Sequence, residues 1–249
     1  MSLLQFTEIS LKNQRMLDQV GEIYEHSFRE EARFPWECLL HKFKMDQIRA
    51  KIQKRKNEKH HLIGAFKEEK LIAFLILRFF GDFAYSSFMA VDPSCRNREI
   101  GTQVGQKAIE TAKADAEEFH LRESALFFEV EKPENAPTEA LKIASERLIK
   151  FYLNKEKGHV VFLDIEYIEP TLIKDGQDMY LAMVPFPDRD YIESNRLLRY
   201  IETIYHLEFN LTPQKNASKF HRYMKVITDS IGNRTKIYGI PKIHGTFNL

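Results

Sequence analysis

The chain has 249 residues, of which 43% are hydrophobic and 29% charged, and its formal net charge is +1. A chain of this length can bury roughly 70–75% of its unfolded surface, so it needs no covalent staples. The near-neutral charge gives no reason to predict binding to nucleic acid or to an anionic membrane. Two cysteines, Cys38 and Cys95, are too few for a disulfide framework and are expected to be reduced thiols.

The N-terminal residues 1–9 lack the basic start and long apolar run of a secretory signal. The longest apolar run, Leu71 to Leu77, is far too short to span a membrane. These features favour a cytoplasmic protein without a membrane partner.

The first half of the chain predicts one strand, two helices and three further strands. Residues 3–9 are typical of a strand, and apolar residues recur on one helical face over 13–29. A second helix is expected from residue 36 to about residue 56. Three strand-like runs separated by turn residues then predict consecutive antiparallel strands, at 61–66, 71–79 and 83–91.

The second half begins with an amphipathic helix at 101–119, followed by a strand at 125–131. Because a helix intervenes, this strand should lie parallel to 83–91. A helix with apolar positions from Leu141 to Tyr152 comes next. Two last strands should close the sheet, at 160–165 and 179–184.

Residues 188–249 are predicted to be an α-helical extension of a main domain at 1–187. Two helical stripes support this: Leu197, Ile201, Ile204 and Tyr205, and then Phe220, Tyr223, Met224, Ile227 and Ile231. These apolar faces must be buried on the main domain or on a second subunit, so a homodimer is one arrangement that would cover them. The tail from Gly232 onward should be irregular.

Two polar clusters invite a functional interpretation that we do not favour. A basic run near the end of the second helix is more typical of a solvated helix face than of a binding patch: Lys51, Lys54, Arg55, Lys56 and Lys59. Adjacent histidines, His60-His61, would point to opposite faces of a strand and cannot easily ligate one ion. No metal site is predicted.

A short polar stretch at 96–102 is the most informative part of the chain. It follows the strand-like run 83–91, which ends before Asp92-Pro93, and it precedes the amphipathic helix. A strand, a tight loop and a helix start turn several backbone N–H groups toward one point at the positive end of the helix. The sequence therefore predicts a phosphate or pyrophosphate site here.

The order of the elements resembles the GNAT acetyltransferase family, and three motifs carry the resemblance. The segment 91–102 (VDPSCRNREIGT) is similar to the family's V-x-P-x-x-(R/Q)-x-x-G-x-G/A segment. Phe128-Glu129-Val130-Glu131 resembles its L-E-V strand. The helix at 145–152, followed by Gly158, is similar to N-x-x-A-x-x-x-Y…G-F. The match covers roughly residues 3 to 186.

This resemblance implies an α/β (α+β) fold with a mixed, mostly antiparallel sheet of six to seven strands and helices on both faces. It implies acetyl-CoA as cosubstrate and no metal. The loop would hold the pyrophosphate through Arg96, Asn97, Arg98, Glu99, Ile100, Gly101 and Thr102. Backbone groups of the preceding strand would pair with the pantetheine amides, at Met89, Ala90 and Val91. One backbone N–H there can serve as the oxyanion donor.

The implied reaction is transfer of acetyl to a primary amine by direct attack on the thioester. An alkyl amine has a pKa near 10.4 and needs a base. Glu129 matches the base of members resembling the ribosomal-protein alanine acetyltransferases, and Tyr152 matches the family's general acid. The alternatives are a structural carboxylate and an aromatic ring that fills a helix–sheet interface. Tyr85 stands where histone-type members carry their base, so that route is not followed.

The sequence departs from the family at several positions. Glu99 replaces the usual first glycine, so weakened rather than abolished CoA binding is expected, with Arg96 and Arg98 offsetting the charge. Ser145 replaces the usual Asn, for which Asn135 could substitute. Gly158-His159 replaces Gly-Phe.

The acceptor, a small-molecule or peptide amine, should bind near the junction of the first two helices, at Glu30, Glu31, Arg33, Phe34 and Trp36. Two other functions stay open at this point. One is a catalytically silent CoA-binding or regulatory module. The other is an interaction protein that acts through residues 188–249, although no aromatic-basic nucleic-acid motif is present there.

Overall fold

The structure is a computed structural model that describes residues 4–30, 33–53, 55, 57–96, 99–153, 159–170 and 175–240. Within these residues it has six α-helices: α1 (Gln14–Ser27), α2 (Trp36–Ile52), α3 (Ile100–Glu118), α4 (Glu139–Leu153), α5 (Ser194–Leu207) and α6 (Ala217–Ile231). None of these helices combines the length and the apolar character needed to cross a bilayer.

Ten strands accompany the helices in the described residues. They are β1 (Gln5–Glu8), β2 (Glu58–Lys67), β3 (Lys70–Phe80), β4 (Ala84–Val91), β5 (Ser124–Glu131), β6 (Val161–Phe162), β7 (Tyr167–Glu169), β8 (Gln177–Phe186), β9 (Tyr191–Glu193) and β10 (Lys236–Tyr238). The contacts of the chain cluster into two compact units, Met1–Leu126 and Phe127–Leu249, with the division inside β5. The boundary predicted at 187/188 is a different division and stays a prediction.

The first unit contains an antiparallel sheet in the order β1-β2-β3-β4. The three consecutive strands predicted from the sequence are therefore confirmed, and each lies close to its predicted place. The turns between these strands also lie at the turn residues that separate the strand-like runs in the sequence. Glu68 and Glu69 have φ of 49° and 65°, and Gly81 has φ of 97°, as tight turns between antiparallel strands require.

Helices cover both faces of this first sheet. On one face, residues of α1 and α2 share a hydrophobic cluster with β2 and β3 that includes Val20, Leu39, Leu62 and Phe74. On the other face, α3 contacts β3 and β4, and Phe119 after its end stacks on Phe79 with ring centroids 5.6 Å apart. The strands are apolar in nearly continuous runs because both of their faces are buried.

The adjacent histidines of β2 serve these two faces separately, as the strand period predicts. His60 receives a hydrogen bond from Arg78 at 3.3 Å, and Arg78 pairs with the buried Asp46 of α2 at 2.6 Å. His61 instead bonds Asp115 of α3 at 2.9 Å. Burial lowers the pKa of His60. Burial also opposes the charge on His61, but the bonds to Asp115 and Glu8 outweigh it and raise its pKa to about 9.

The second unit has the strand order β5-β8-β6, with β7 also pairing with β8; β6 and β7 both run antiparallel to β8. Helices α5 and α6 belong to this unit, and α6 contacts β7. The fold class is confirmed as a mixed α/β protein with a mostly antiparallel sheet. The described strands include β7, which the sequence analysis did not predict, because a run of three residues is too short for a period to be recognised.

The irregular tail expected from Gly232 onward is wrong over three residues. Lys236–Tyr238 form β10, which pairs antiparallel with β9 and places Ile237 opposite Ile192. Both isoleucines are buried, so local burial rather than composition decided the strand.

Two helical glycines give a matched test of packing around the first sheet. A Cβ at Gly105 of α3 would meet nothing within 4 Å, whereas one at Gly21 of α1 would lie 2.5 Å from the Trp36 ring. We expect Gly105→Ala to raise the free energy of unfolding by roughly 0.5–1 kcal/mol through helix propensity. Gly21→Ala should lower it, and urea denaturation of both variants checks the pair. A gain at Gly21 would contradict the packing described here.

The His61 contacts predict a pH dependence of stability. The folded-state pKa is about 9 and the ordinary value is 6.5, so the stabilisation is complete below pH 6.5 and is lost as the pH rises through 9. Such a shift corresponds to at most about 3 kcal/mol. The wild type should exceed His61→Gln in free energy of unfolding at pH 6 and should lose most of that advantage at pH 9.5. A constant difference across this range would contradict the ion pair.

Candidate active site

The predicted phosphate loop begins with a tight turn at the end of β4. The Asp92 carboxylate accepts bonds from the Ser94 backbone N–H at 2.8 Å and from its hydroxyl at 2.7 Å. These bonds hold the pKa of Asp92 below its usual value and start a single 3₁₀ turn at Pro93–Cys95. The Arg96 guanidinium then donates to the Val91 carbonyl at 3.2 Å and to the Ser27 hydroxyl at 3.3 Å. Arg96 thereby ties the loop to the ends of β4 and α1.

Glu99 stands at the N-cap of α3 in a left-handed conformation, with φ 58° and ψ 7° and no capping bond from its side chain. This is the position at which the resembled family carries glycine, and the conformation explains why: a side chain there costs roughly 1–2 kcal/mol. The neighbouring Asn97 and Arg98 lie outside the described residues.

The first turn of α3 offers donors to an anion. The first helical bond of this turn runs from the Gln103 N–H to the Glu99 carbonyl at 3.1 Å. The N–H groups of Ile100, Gly101 and Thr102 therefore have no acceptor within the helix. The Thr102 hydroxyl is also buried, with no hydrogen-bond partner among the described residues. This hydroxyl, beside three amides that have no acceptor within the helix, fits a phosphate or pyrophosphate group.

β4 carries a bulge before the predicted cofactor-binding residues. Its pairing with β3 passes from Phe88 opposite Ile76 to Ser86 opposite Leu77, so Ser87 is the extra residue. The Ser87 hydroxyl is buried and unpaired among the described residues. Beyond the bulge, regular pairing with β3 resumes through Met89, Ala90 and Val91. The bulge therefore changes the direction of β4 immediately before these three residues.

The two predicted catalytic side chains lie on opposite faces of β5. Phe128 packs on Tyr152 of α4 with ring centroids 4.6 Å apart, while Phe127 packs on Tyr200 of α5 at 5.6 Å. Because successive side chains alternate, Glu129 shares the face of Phe127. Its carboxylate accepts a hydrogen bond from the Tyr167 hydroxyl of β7.

Burial raises the pKa of Tyr152 well above its usual range. Its hydroxyl therefore stays protonated at any physiological pH, which is a requirement for a general acid. The same ring also contacts Phe151, with centroids 5.2 Å apart, so it fills the interface between α4 and β5 as well.

β7 and α5 add side chains that the sequence analysis did not connect with the site. The Tyr205 hydroxyl donates to the Ile168 carbonyl, and the Tyr205 and Tyr167 rings lie 6.0 Å apart. On the adjoining strand, Gln177 donates to Glu131 at 3.1 Å and stands opposite Glu169. The signal available in the sequence was the short alternation Tyr167-Ile168-Glu169 before Pro170.

The other predicted positions are distributed more widely. Of the acceptor residues, Glu31 lies outside the described residues, and Trp36 is 7% exposed within the α1–α2 core. Asn135 donates to Asp178 at 3.2 Å and 3.3 Å, and Ser145 is buried on α4. Gly158 lies outside the described residues.

Two residues of the basic run at the end of α2 form ion pairs with acidic neighbours. Arg55 pairs with Glu58 at 2.5 Å, and Lys59 contacts Asp115 at 2.9 Å and Glu118 at 2.6 Å; Lys54 and Lys56 lie outside the described residues. An open cavity of about 770 Å³ adjoins this run and is lined by residues of β1, α2 and β2. In the sheet, β3 separates these two strands from β4. Across the described ranges, no group of three or more metal-ligating side chains occurs.

Comparisons with known proteins agree with this geometry. A family model described as the acetyltransferase (GNAT) family matches residues 18–141. A putative GNAT acetyltransferase from Bacteroides thetaiotaomicron is similar in structure with a TM-score of 0.56 and 19% identity, over 84% of this chain and 99% of its own. At this identity the likeness concerns the fold. The search of curated proteins gives no match.

Two further solved structures illustrate the range of the likeness. The PaiA N-acetyltransferase of Thermoplasma acidophilum, in complex with coenzyme A, has a TM-score of 0.42 and 15% identity over 73% of this chain and 98% of its own. The ribosomal-protein-S18-alanine N-acetyltransferase of Escherichia coli has a TM-score of 0.40 and 16% identity over 74% of this chain and 94% of its own.

The left-handed Glu99 predicts the effect of restoring a glycine. Glu99→Gly should relieve backbone strain and raise the free energy of unfolding by about 1 kcal/mol. It should also tighten coenzyme A binding, since a carboxylate beside a pyrophosphate is repulsive. Glu99→Ala is the matched control, because it removes the charge and keeps the strain. Urea denaturation and titration calorimetry separate the two effects, and equal stability of both variants would argue against the strain.

Proposed function

Because the chain belongs, through its domain at residues 18–141, to the GNAT acetyltransferase family, we propose that it is an acetyl-CoA-dependent N-acetyltransferase acting on a primary amine. The observation that carries the proposal is the first turn of α3, where amides without an acceptor in the helix adjoin the Thr102 hydroxyl, which has no partner among the described residues. Bound acetyl-CoA would supply the activated acetyl group as a thioester.

The residues that would hold this cosubstrate divide into two sets. The pyrophosphate set is the loop and the α3 start: Arg96, Asn97, Arg98, Glu99, Ile100, Gly101 and Thr102. The pantetheine set is the backbone of Met89, Ala90 and Val91, one N–H of which would donate to the oxyanion. Arg96, fixed on Val91 by its own hydrogen bond, would link the two sets.

Glu129 and Tyr152 would perform the proton transfers. Glu129 accepts a proton from the attacking amine, directly or through a water, as the new N–C bond forms. Tyr152 gives its proton to the sulfur as the C–S bond breaks. The attacking nitrogen and the leaving sulfur are bonded to one carbon, whereas the two side chains lie on opposite faces of β5, so a water would have to relay the proton on at least one side.

The acceptor is proposed to be a small-molecule or peptide amine, without nucleic acid or membrane partners. Two unpaired cysteines, Cys38 and Cys95, support a cytoplasmic location. A homodimer and the division into a domain at 1–187 and an extension at 188–249 are also proposed. A metal ion is not required by this mechanism.

A silent CoA-binding module is the second candidate, and one observation favours it. Glu99 places a carboxylate and a strained backbone at the loop. Such a module would bind acetyl-CoA and release no thiol with any amine.

Binding and turnover separate these candidates. Acetyl-CoA is titrated calorimetrically, and thiol release is then followed with benzylamine, spermidine and an alanine-initiated hexapeptide. Binding with release is expected for at least one amine, and binding without release would favour the silent module.

With the best of these amines, we expect Tyr152→Phe and Glu129→Gln each to lower kcat by about 10²-fold, the typical contribution of a general acid or base. The exposed Tyr238→Phe and Glu166→Gln serve as controls and should retain wild-type kcat. Wild-type kcat in Glu129→Gln would exclude Glu129 as the base.

A further inference from the structure

The face of β5 that carries Glu129 is unusually rich in carboxyl groups. Glu131 lies two residues further along the same strand face, Glu169 follows on β7, and Glu208 caps α5 with 7% exposure. Several ionised carboxylates cannot share a desolvated space without strong repulsion. Their mutual repulsion therefore favours the neutral form of at least one of them.

The strand pairing identifies how these groups are held. β7 pairs with β8 so that Tyr167 stands opposite Met179 and Glu169 stands opposite Gln177. The Tyr167 hydroxyl donates to Glu129, and the Gln177 amide donates to Glu131. Tyr167 and Glu169, two residues apart, occupy the same face of β7. Glu169 is therefore the next side chain along the face that already contacts the proposed base.

We infer that β7 is a positioning strand for the catalytic base, in which Tyr167 and a neutral, protonated Glu169 both donate hydrogen bonds to the ionised Glu129 carboxylate. This inference rests on the proposed function, because it assigns Glu129 the role of base. Glu169 is a positioning residue: its own proton stays on its carboxyl group throughout the reaction, and the proton of the amine goes to Glu129.

The electrostatics of the surrounding elements agree with this assignment. Burial of its carboxyl group raises the pKa of Glu169 well above the usual value, and the charge of Glu129 and a hydrogen bond with it raise the pKa further, followed by the charges of Glu131 and Glu208. From α5, burial and then the Glu129 charge raise the pKa of Tyr205, so this phenol is also neutral. From α6, burial raises the pKa of Tyr223. The Tyr205 and Tyr223 phenols thus stay neutral beside the carboxyl groups.

A carboxylate that accepts two hydrogen bonds is a better general base than a buried carboxylate without such donors. Two hydrogen bonds fix both the rotamer of Glu129 and the direction of its free lone pair. They also favour its ionised form in a desolvated place, where a carboxyl group would otherwise take up a proton before the amine could deliver one. Helix α5 contributes by covering this face with Tyr200 and Tyr205.

The protonation state can be tested without any substrate. Infrared spectra of the full chain at pH 7, with and without ¹³C-labelled glutamate, report protonated glutamic acid through its carbonyl band. We expect such a band in the wild type and in the control Glu166→Gln, whose side chain is exposed, and its loss in Glu169→Gln. A wild type without the band, or a band that persists in Glu169→Gln, would overturn the inference. Loss of the band in Glu169→Gln assigns the proton to Glu169, and a wild type without the band overturns the inference even if that variant does not fold.

Activity provides the second arm, with whichever of the three amines named above turns over fastest. Glu169→Gln keeps a donor and should retain kcat/KM within about threefold. Glu169→Ala removes the donor, which favours the protonated form of Glu129. We therefore expect kcat to fall about tenfold and the acidic limb of the pH profile of kcat/KM to move to higher pH. An unmoved limb in Glu169→Ala would count against positioning. Absence of turnover in the wild type would instead overturn the proposed function and leave the infrared result to decide the protonation of Glu169.

Discussion

Successive side chains of a strand point to opposite faces, and this alternation determines which residues each side chain contacts in both units of the protein. In the first unit, His60 joins the Arg78–Asp46 pair toward α2 while His61 joins Asp115 of α3. In the second unit, Phe128 contacts Tyr152 of α4 while Glu129 accepts a hydrogen bond from the Tyr167 hydroxyl. Helices cover both faces in each unit. Neighbouring residues of a strand therefore pack in two different buried environments.

Buried charge is managed in two ways within these layers. Arg78, 2% exposed, is matched by Asp46, and the attraction of Arg78 and Lys42 outweighs the burial that would otherwise raise the pKa of Asp46. Such a pair is costly to break because the remaining charge would be left in a desolvated place. Near β7, burial and the charges of neighbouring carboxylates raise the pKa of Glu169, so its protonation would relieve the repulsion. The first solution fixes α2 on the sheet, and the second, which we infer, would leave Glu129 ionised beside a neutral Glu169.

The loop before α3 keeps unfavourable features that a purely structural turn would not need. A non-glycine residue adopts a left-handed conformation at Glu99, and the Thr102 hydroxyl is buried without a partner among the described residues. Strain and unsatisfied polar groups tend to persist where a ligand or a reaction compensates for them. The same reasoning applies to the Ser87 bulge in β4, which lies just before the backbone proposed to hold the cosubstrate.

The sequence by itself determined the order of most elements, the three antiparallel strands β2 to β4, the start of α3 to within one residue and the family, because these depend on local periods, turn residues and a motif of fixed spacing. It also placed Glu129 and Tyr152 on neighbouring elements. Only the tertiary structure decided that these two residues face opposite layers, that β7 reaches Glu129, and that β10 forms. Those outcomes depend on contacts between residues such as Glu129 and Tyr167, which are 38 positions apart, and no local pattern encodes such a contact.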